Sequence, residues 1–113
     1  MFSSEIKSVH FTGIGGTAMA SAAAAMKEKG FQVTGSDQNV YPPMSTFLAE
    51  RKIEVMNGYA ERNLAYKPDL VVIGNAISRG NPEAEFVLDH KLRYCLRPER
   101  ATRSERATHW RRT

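Results

Sequence analysis

Lys7-Ser8-Val9-His10-Phe11-Thr12-Gly13-Ile14-Gly15-Gly16-Thr17-Ala18-Met19-Ala20 is the stretch on which the fold turns. Lys7 to Thr12, with β-prone Val9 and Phe11, predicts a short strand, and a glycine turn follows at once. Thr17 to Lys29 predicts a helix, because Ala18 to Met26 is nearly all alanine and methionine, the strongest helix formers in the chain. So many small side chains also let a helix backbone lie very close to a sheet. Gly30 is a helix stop of the expected kind.

Working outward, Phe31 to Gly35 predicts a second strand that ends in Ser36-Asp37. Tyr41-Pro42-Pro43 is a rigid connection, since each proline fixes its own φ and pushes the residue before it towards extended geometry. Ser45 is placed to cap a helix running to about Lys52. Ile53 to Met56 predicts a third strand. Asp69 to Gly74, centred on Leu70-Val71-Val72-Ile73, suits a strand buried on both faces. Asn81-Pro82-Glu83 starts a helix, with Asn as cap and Pro at its first position, continuing to about Lys91. Leu92 to Leu96 is placed to begin a fifth strand. This alternation predicts an α/β fold: a Rossmann-like parallel sheet of four to five strands, helices on both faces, and right-handed crossovers.

The 113 residues hold one domain's worth of chain. No run approaches the length of an apolar membrane span, and the N-terminus has no basic region followed by an apolar run. Cys95 is the single cysteine, so neither a disulfide framework nor a cysteine metal site is expected, and a reducing compartment, the cytoplasm, fits. The net charge of +4 is unevenly placed. Residues 1–95 hold ten basic and ten acidic side chains; residues 96–113 hold six arginines and two glutamates. A balanced domain over 1–95 is therefore expected, followed by an Arg-rich tail over 96–113 without apolar periodicity. That tail is expected to be disordered, or to come from a shifted reading frame or a cloning junction. With one aromatic and no motif, it gives no ground for a nucleic-acid partner.

Gly13-Ile14-Gly15-Gly16-Thr17-Ala18 sits between a predicted strand and a predicted helix, the context in which a G-x-G-x-x-G/A loop carries meaning. Glycines let backbone approach a diphosphate, and the free N–H groups at the positive helix end favour the anion. Asp37 closes the second strand about 20 residues beyond the loop, where an acid accepts bonds from a ribose hydroxyl. Loop and acid together suit any nucleoside diphosphate, including NAD in an oxidoreductase or regulatory domain. Turn-forming roles for both are the plain alternative. His10 is expected to be a packed side chain, and His90 to suit a helix C-terminus. The three histidines share no ligand spacing, so no metal site is assigned, and local spacing suggests no catalytic set.

The loop at 13–16, the run Gly35-Ser36-Asp37-Gln38-Asn39-Val40-Tyr41-Pro42-Pro43-Met44-Ser45-Thr46, and the run Ile73-Gly74-Asn75-Ala76-Ile77-Ser78-Arg79-Gly80-Asn81-Pro82-Glu83 resemble the N-terminal domain of the Mur ligases over about residues 5–95. The Ser36 to Thr46 run resembles the peptide-adding branch of the family rather than its L-alanine-adding branch. The resemblance implies an ATP-dependent, magnesium-using ligase of cell-wall peptidoglycan recycling. Such a ligase joins UDP-N-acetylmuramate to the tripeptide L-alanyl-γ-D-glutamyl-meso-diaminopimelate through an acyl phosphate. It implies that Gly13, Ile14, Gly15, Gly16 and Thr17 hold the diphosphate, that Asp37 holds the uridine end, and that Asn39, Tyr41, Asn75, Ala76 and Asn81 border the nucleotide sugar.

Two departures bear on activity. Gly58-Tyr59 stands where the L-alanine-adding relatives tend to have Gly-His. The family's Gly-Thr-His-Gly-Lys-Thr-Thr ATP loop has only a faint echo, Ala107-Thr108-His109-Trp110, without glycine or lysine. The 113 residues are therefore expected to bind a UDP sugar, to hold no ATP or magnesium themselves, and not to ligate.

Overall fold

The computed structural model describes residues 6–96 together with Pro98. Five strands form one sheet: β1 (Ser8–Thr12), β2 (Gln32–Asp37), β3 (Glu54–Asn57), β4 (Leu70–Ile73) and β5 (Tyr94–Cys95), in the order β3-β2-β1-β4-β5. Every pairing is parallel, with Thr12 opposite both Ser36 and Ile73, and Asp37 opposite Asn57. Three helices connect them: α1 (Thr17–Glu28), α2 (Met44–Glu50) and α3 (Pro82–Asp89). A 3-10 turn over Glu61–Leu64 lies in the β3–β4 crossover. The α/β parallel sheet expected from sequence is the observed architecture, with the fifth strand present and short.

The two faces of the sheet bury different chemistry. Val9, Phe11, Val33, Leu70 and Val72 point to one face and pack with Met19, Ala20, Ala23 and Met26 of α1 and Leu48 of α2. Small alanines bring α1 down onto the strands, and each large apolar side chain buried there stabilises by roughly 1.5–3 kcal/mol. Ile14 belongs to this face and lies directly on Gly35. A Cβ at Gly35 would stand 2.7 Å from Ile14 Cβ, so only glycine fits the strand at that point. On the other face Val71 and Ile73 pack with Leu64 and Val87, and half-buried Leu96 joins them. β4 is therefore buried on both sides, as its apolar run predicts.

Some boundaries differ from expectation. Ser45 does not cap α2. The helix starts at Met44 with Pro43 at its N-cap and no side-chain cap bond, and the Ser45 amide is already used on the Tyr41 carbonyl. The Pro42–Pro43 bond is cis. α3 stops at Asp89, not Lys91, because Lys91 adopts a left-handed φ of 55°. Asn81 caps α3 as expected, accepting from the amides of Glu83 and Ala84. Apart from Leu96 and Pro98, the Arg-rich segment 96–113 lies outside the described residues.

Candidate functional site

Because all strands run parallel, the segments following β1, β2, β3 and β4 meet at one edge of the sheet, the edge where open α/β folds bind ligands. The chain leaves β1 through Gly13, whose φ of 92° is one that side chains disfavour. Its amide and that of Ile14 both donate to the Ser36 carbonyl, at 2.8 and 3.1 Å. Ile14 therefore serves the loop by its backbone and the core by its side chain. Gly16 is the N-cap of α1 and supplies no side-chain bond, and the helix has no acid in its first turn. The first amides of α1, from Thr17 on, have no intrahelical partner and form the positive end of the helix dipole. Gly16 and Thr17 are exposed.

Asp37 is tied to the loop itself. Its Oδ2 accepts from the Gly15 amide at 2.7 Å, while Oδ1 accepts from the Gln38 amide at 2.7 Å and the Tyr59 hydroxyl at 3.0 Å. A Cβ at Gly15 would stand 2.7 Å from that Oδ2, so the acid, before any ligand, demands glycine there. Three of the roughly four acceptor positions of the carboxylate are used, which leaves one for a further donor. Burial, then the bond and charge of Asp37, raise the Tyr59 phenol above its ordinary range, so it stays a donor.

Beside the loop lies a cavity of about 460 Å³, lined by Asn39, Val40, Tyr41 and Asn57 together with Ser45, Ala49, Ile53 and Val55. Val40 connects the two, with its Cγ2 3.5 Å from the Cβ position of Gly15. Asn39 sits at a left-handed φ of 55° and donates its amide to Asn57 Oδ1 at 3.3 Å. Tyr41 is 68% exposed at the rim. Sequence reasoning thus grouped Gly15, Asp37, Asn39 and Tyr41, and they are adjacent. Asn75 and Ala76 are exposed beyond β4, and nearby Ile77 packs against Gly13. The Asn81 side-chain oxygen is committed to capping α3.

What sequence reasoning missed lies beneath this edge. Glu83 is fully buried and accepts five bonds. They come from Ser36 Oγ (2.6 Å), Thr12 Oγ1 (2.8 Å) and His10 Nε2 (3.0 Å) on Oε1, and from Asn63 Nδ2 (2.7 Å) and the Ala60 amide (3.2 Å) on Oε2. His10 Nδ1 shares a further bond with Thr34 Oγ1 at 2.7 Å, and Thr34 with the Tyr66 hydroxyl at 2.8 Å. Burial alone would raise the Glu83 carboxyl. The bonds from His10, Ser36 and Asn63, with the charge of His10, reverse this and hold it at about 2. His10 is a packed residue, as expected, but one with a defined partner. The signal was present: residues 10, 12, 34 and 36 are polar at every second position of two central strands, so one face needed a polar partner.

The Mur ligase family, catalytic domain, matches residues 8–103. The chain is 49% identical over 94 residues to the UDP-N-acetylmuramate–L-alanyl-γ-D-glutamyl-meso-2,6-diaminoheptandioate ligase of Haemophilus influenzae, a match covering 83% of the chain and 21% of that protein. The solved murein peptide ligase of Psychrobacter arcticus superposes with a TM-score of 0.76 at 46% identity, over 79% of this chain and 18% of that one. The UDP-N-acetylmuramate–alanine ligase of Thermotoga maritima gives 0.77 at 26% identity, over 88% and 23%. The chain thus spans about a fifth of the length of the relatives it matches. These matches give no support to an NAD-binding oxidoreductase: the chain belongs to the Mur ligase family, of which it carries the N-terminal domain.

Proposed function

We propose that the chain binds UDP-N-acetylmuramate at the carboxyl edge of its sheet, as the nucleotide-sugar-binding part of a peptide-adding ligase. The diphosphate lies against Gly15, Gly16 and the first amides of α1. The remaining acceptor position of Asp37 takes a ribose hydroxyl, and the base enters the cavity past Asn39 and Tyr41. Asn75, Ala76 and Asn81 border the sugar from the β4 side. The observation that carries this is the uncapped, acid-free N-terminus of α1, reached through glycines and opening beside a cavity of about 460 Å³.

The tripeptide, ATP and magnesium belong to the reaction of the whole ligase. The residues present do not fit ATP with magnesium. The loop lacks a Gly-Lys-Ser/Thr ending, and among the described residues no group of three or more His, Cys, Asp or Glu could hold a metal ion. We therefore assign to these residues the binding of the UDP sugar.

Calorimetric titration tests the assignment. The chain should bind UDP-N-acetylmuramate and ignore NAD. Gly16→Val should weaken binding by about a hundredfold while the fold persists. A Cβ at Gly16 meets nothing nearer than Met19 Cγ at 3.9 Å, yet it stands in the diphosphate's approach. Unchanged affinity in Gly16→Val, or preference for NAD, would sink the proposal.

A further inference from the structure

We propose that Glu83 is a positioning residue for the glycine loop, setting from below the sheet the two supports that hold the amides of Gly13, Ile14 and Gly15. One support is Ser36. Its hydroxyl donates to Glu83 Oε1 at 2.6 Å, and its carbonyl accepts the amides of Gly13 and Ile14. The other runs through the segment after β3. Glu83 Oε2 accepts from the Ala60 amide and from Asn63 Nδ2, and the same Asn63 nitrogen donates to the Gly58 carbonyl at 3.0 Å. Tyr59 is thus held from both sides, its hydroxyl donates to Asp37 Oδ1, and Asp37 Oδ2 takes the Gly15 amide. Three consecutive loop amides trace back to one carboxylate.

Only a carboxylate of this length suits the place. All five partners donate to it; an amide can keep its oxygen on Asn63 and Ala60 only by setting its NH2 against Thr12, Ser36 and His10, each of which must then turn from donor to acceptor. Aspartate, one methylene shorter, cannot span from Ser36 to Ala60. The plain alternative is that Glu83 merely satisfies buried hydroxyls and the dipole of α3, with no specific effect on the loop.

The test separates the two and needs no ligand for its first arm. Amide hydrogen exchange is measured on the full 15N-labelled chain as wild type, Glu83→Gln and Leu70→Ala. Leu70 is buried on the opposite face, at the far edge of the sheet, so its variant loses global stability without touching either support. In Glu83→Gln, Gly13, Ile14 and Gly15 should exchange about tenfold faster relative to Val72 in the same sample; in Leu70→Ala that ratio should not move. Loop amides that merely follow Val72 in Glu83→Gln overturn the proposal. Should Glu83→Gln not fold, the double variant Ser36→Ala/Tyr59→Phe cuts both supports away from the buried carboxylate, and unchanged loop exchange there overturns it equally. The second arm rests on the binding proposed above: UDP-N-acetylmuramate affinity should fall about tenfold in Glu83→Gln. If the wild-type chain ignores that ligand, the binding proposal fails, and the exchange ratio alone decides the role of Glu83.

Discussion

The two faces of the sheet are held by different forces. Under α1 and α2 the contacts are apolar: Phe11, Val9, Val33, Leu70 and Val72 against alanines, methionines and Leu48. Such burial is strong and non-directional, so it decides that the sheet forms and how close α1 lies. Under α3 the centre is polar: His10, Thr12, Thr34 and Ser36 around Glu83. Among the described residues no buried side-chain polar atom lacks a partner. Directional bonds there fix angles and registers that apolar packing leaves loose. The lesson is a division of labour, in which apolar packing decides that the sheet forms, while the polar centre under α3 fixes placement at the carboxyl edge and adds a stability that depends on charge.

Acid should break the polar face first, with the largest effect. The Glu83 carboxyl lies at about 2 in the folded chain against an ordinary 4.5. A depressed folded value means the stability is fully present above about pH 4.5 and is lost as pH falls towards 2. The difference is on the order of 3 kcal/mol. Urea unfolding across that window should show a steep loss in the wild type and a flatter curve in Glu83→Gln. Parallel curves would mean that the carboxylate is not the acid-sensitive element.

The apolar face breaks by overpacking instead. Gly35→Ala drives a methyl into Ile14, with Ile14 Cβ and Cγ2 at 2.7 and 2.9 Å from it. The expected cost is about 1–3 kcal/mol with no pH dependence in the acid window. Ile14→Ala in the same chain should recover part of the loss, giving a coupling above about 0.5 kcal/mol in a double-mutant cycle. Strict additivity would show that Ile14 moves aside freely and that the close approach is not what requires glycine.

The same contrast explains what could be read from sequence. The apolar face was legible because its signals are local: the alanine run of α1, glycine stops at 13 and 30, and the four-residue run Leu70 to Ile73. Asn81-Pro82 announced the start of α3, and the glycine loop with Asp37 announced the carboxyl edge. The polar face was legible only in part: polar residues at 10, 12, 34 and 36 show that it needs a partner, but Glu83 and His10 lie 73 residues apart and no spacing rule names that partner. Tyr59 reads as a plain aromatic until the fold brings it to Asp37. Ser45 looked like a cap because Ser is a good one, but the turn through Pro42 and Pro43 starts the helix two residues earlier, with Pro43 at the N-cap. Local chemistry proposes caps; chain path decides them.

The smallest effect sharpens the comparison most, because it sets stability against binding at one atom. α3 has a side-chain cap in Asn81, whereas α1 has Gly16 at the same position and no cap bond. Gly16 has φ −70° and ψ 151°, the extended geometry that N-cap residues adopt. A Cβ there has ordinary space, with Met19 Cγ at 3.9 Å. Gly16→Ser should therefore cap α1 and stabilise the chain by a few tenths of a kcal/mol. The new hydroxyl would accept from an amide of the first turn, one of the donors assigned to the diphosphate. UDP-N-acetylmuramate should then bind several-fold more weakly to a slightly more stable protein, read by urea midpoint and calorimetry on the same sample. If stability rises and affinity holds, the first-turn amides do not meet the ligand. If neither moves, the hydroxyl does not reach the helix, and Gly16 is a glycine for the sake of the turn alone.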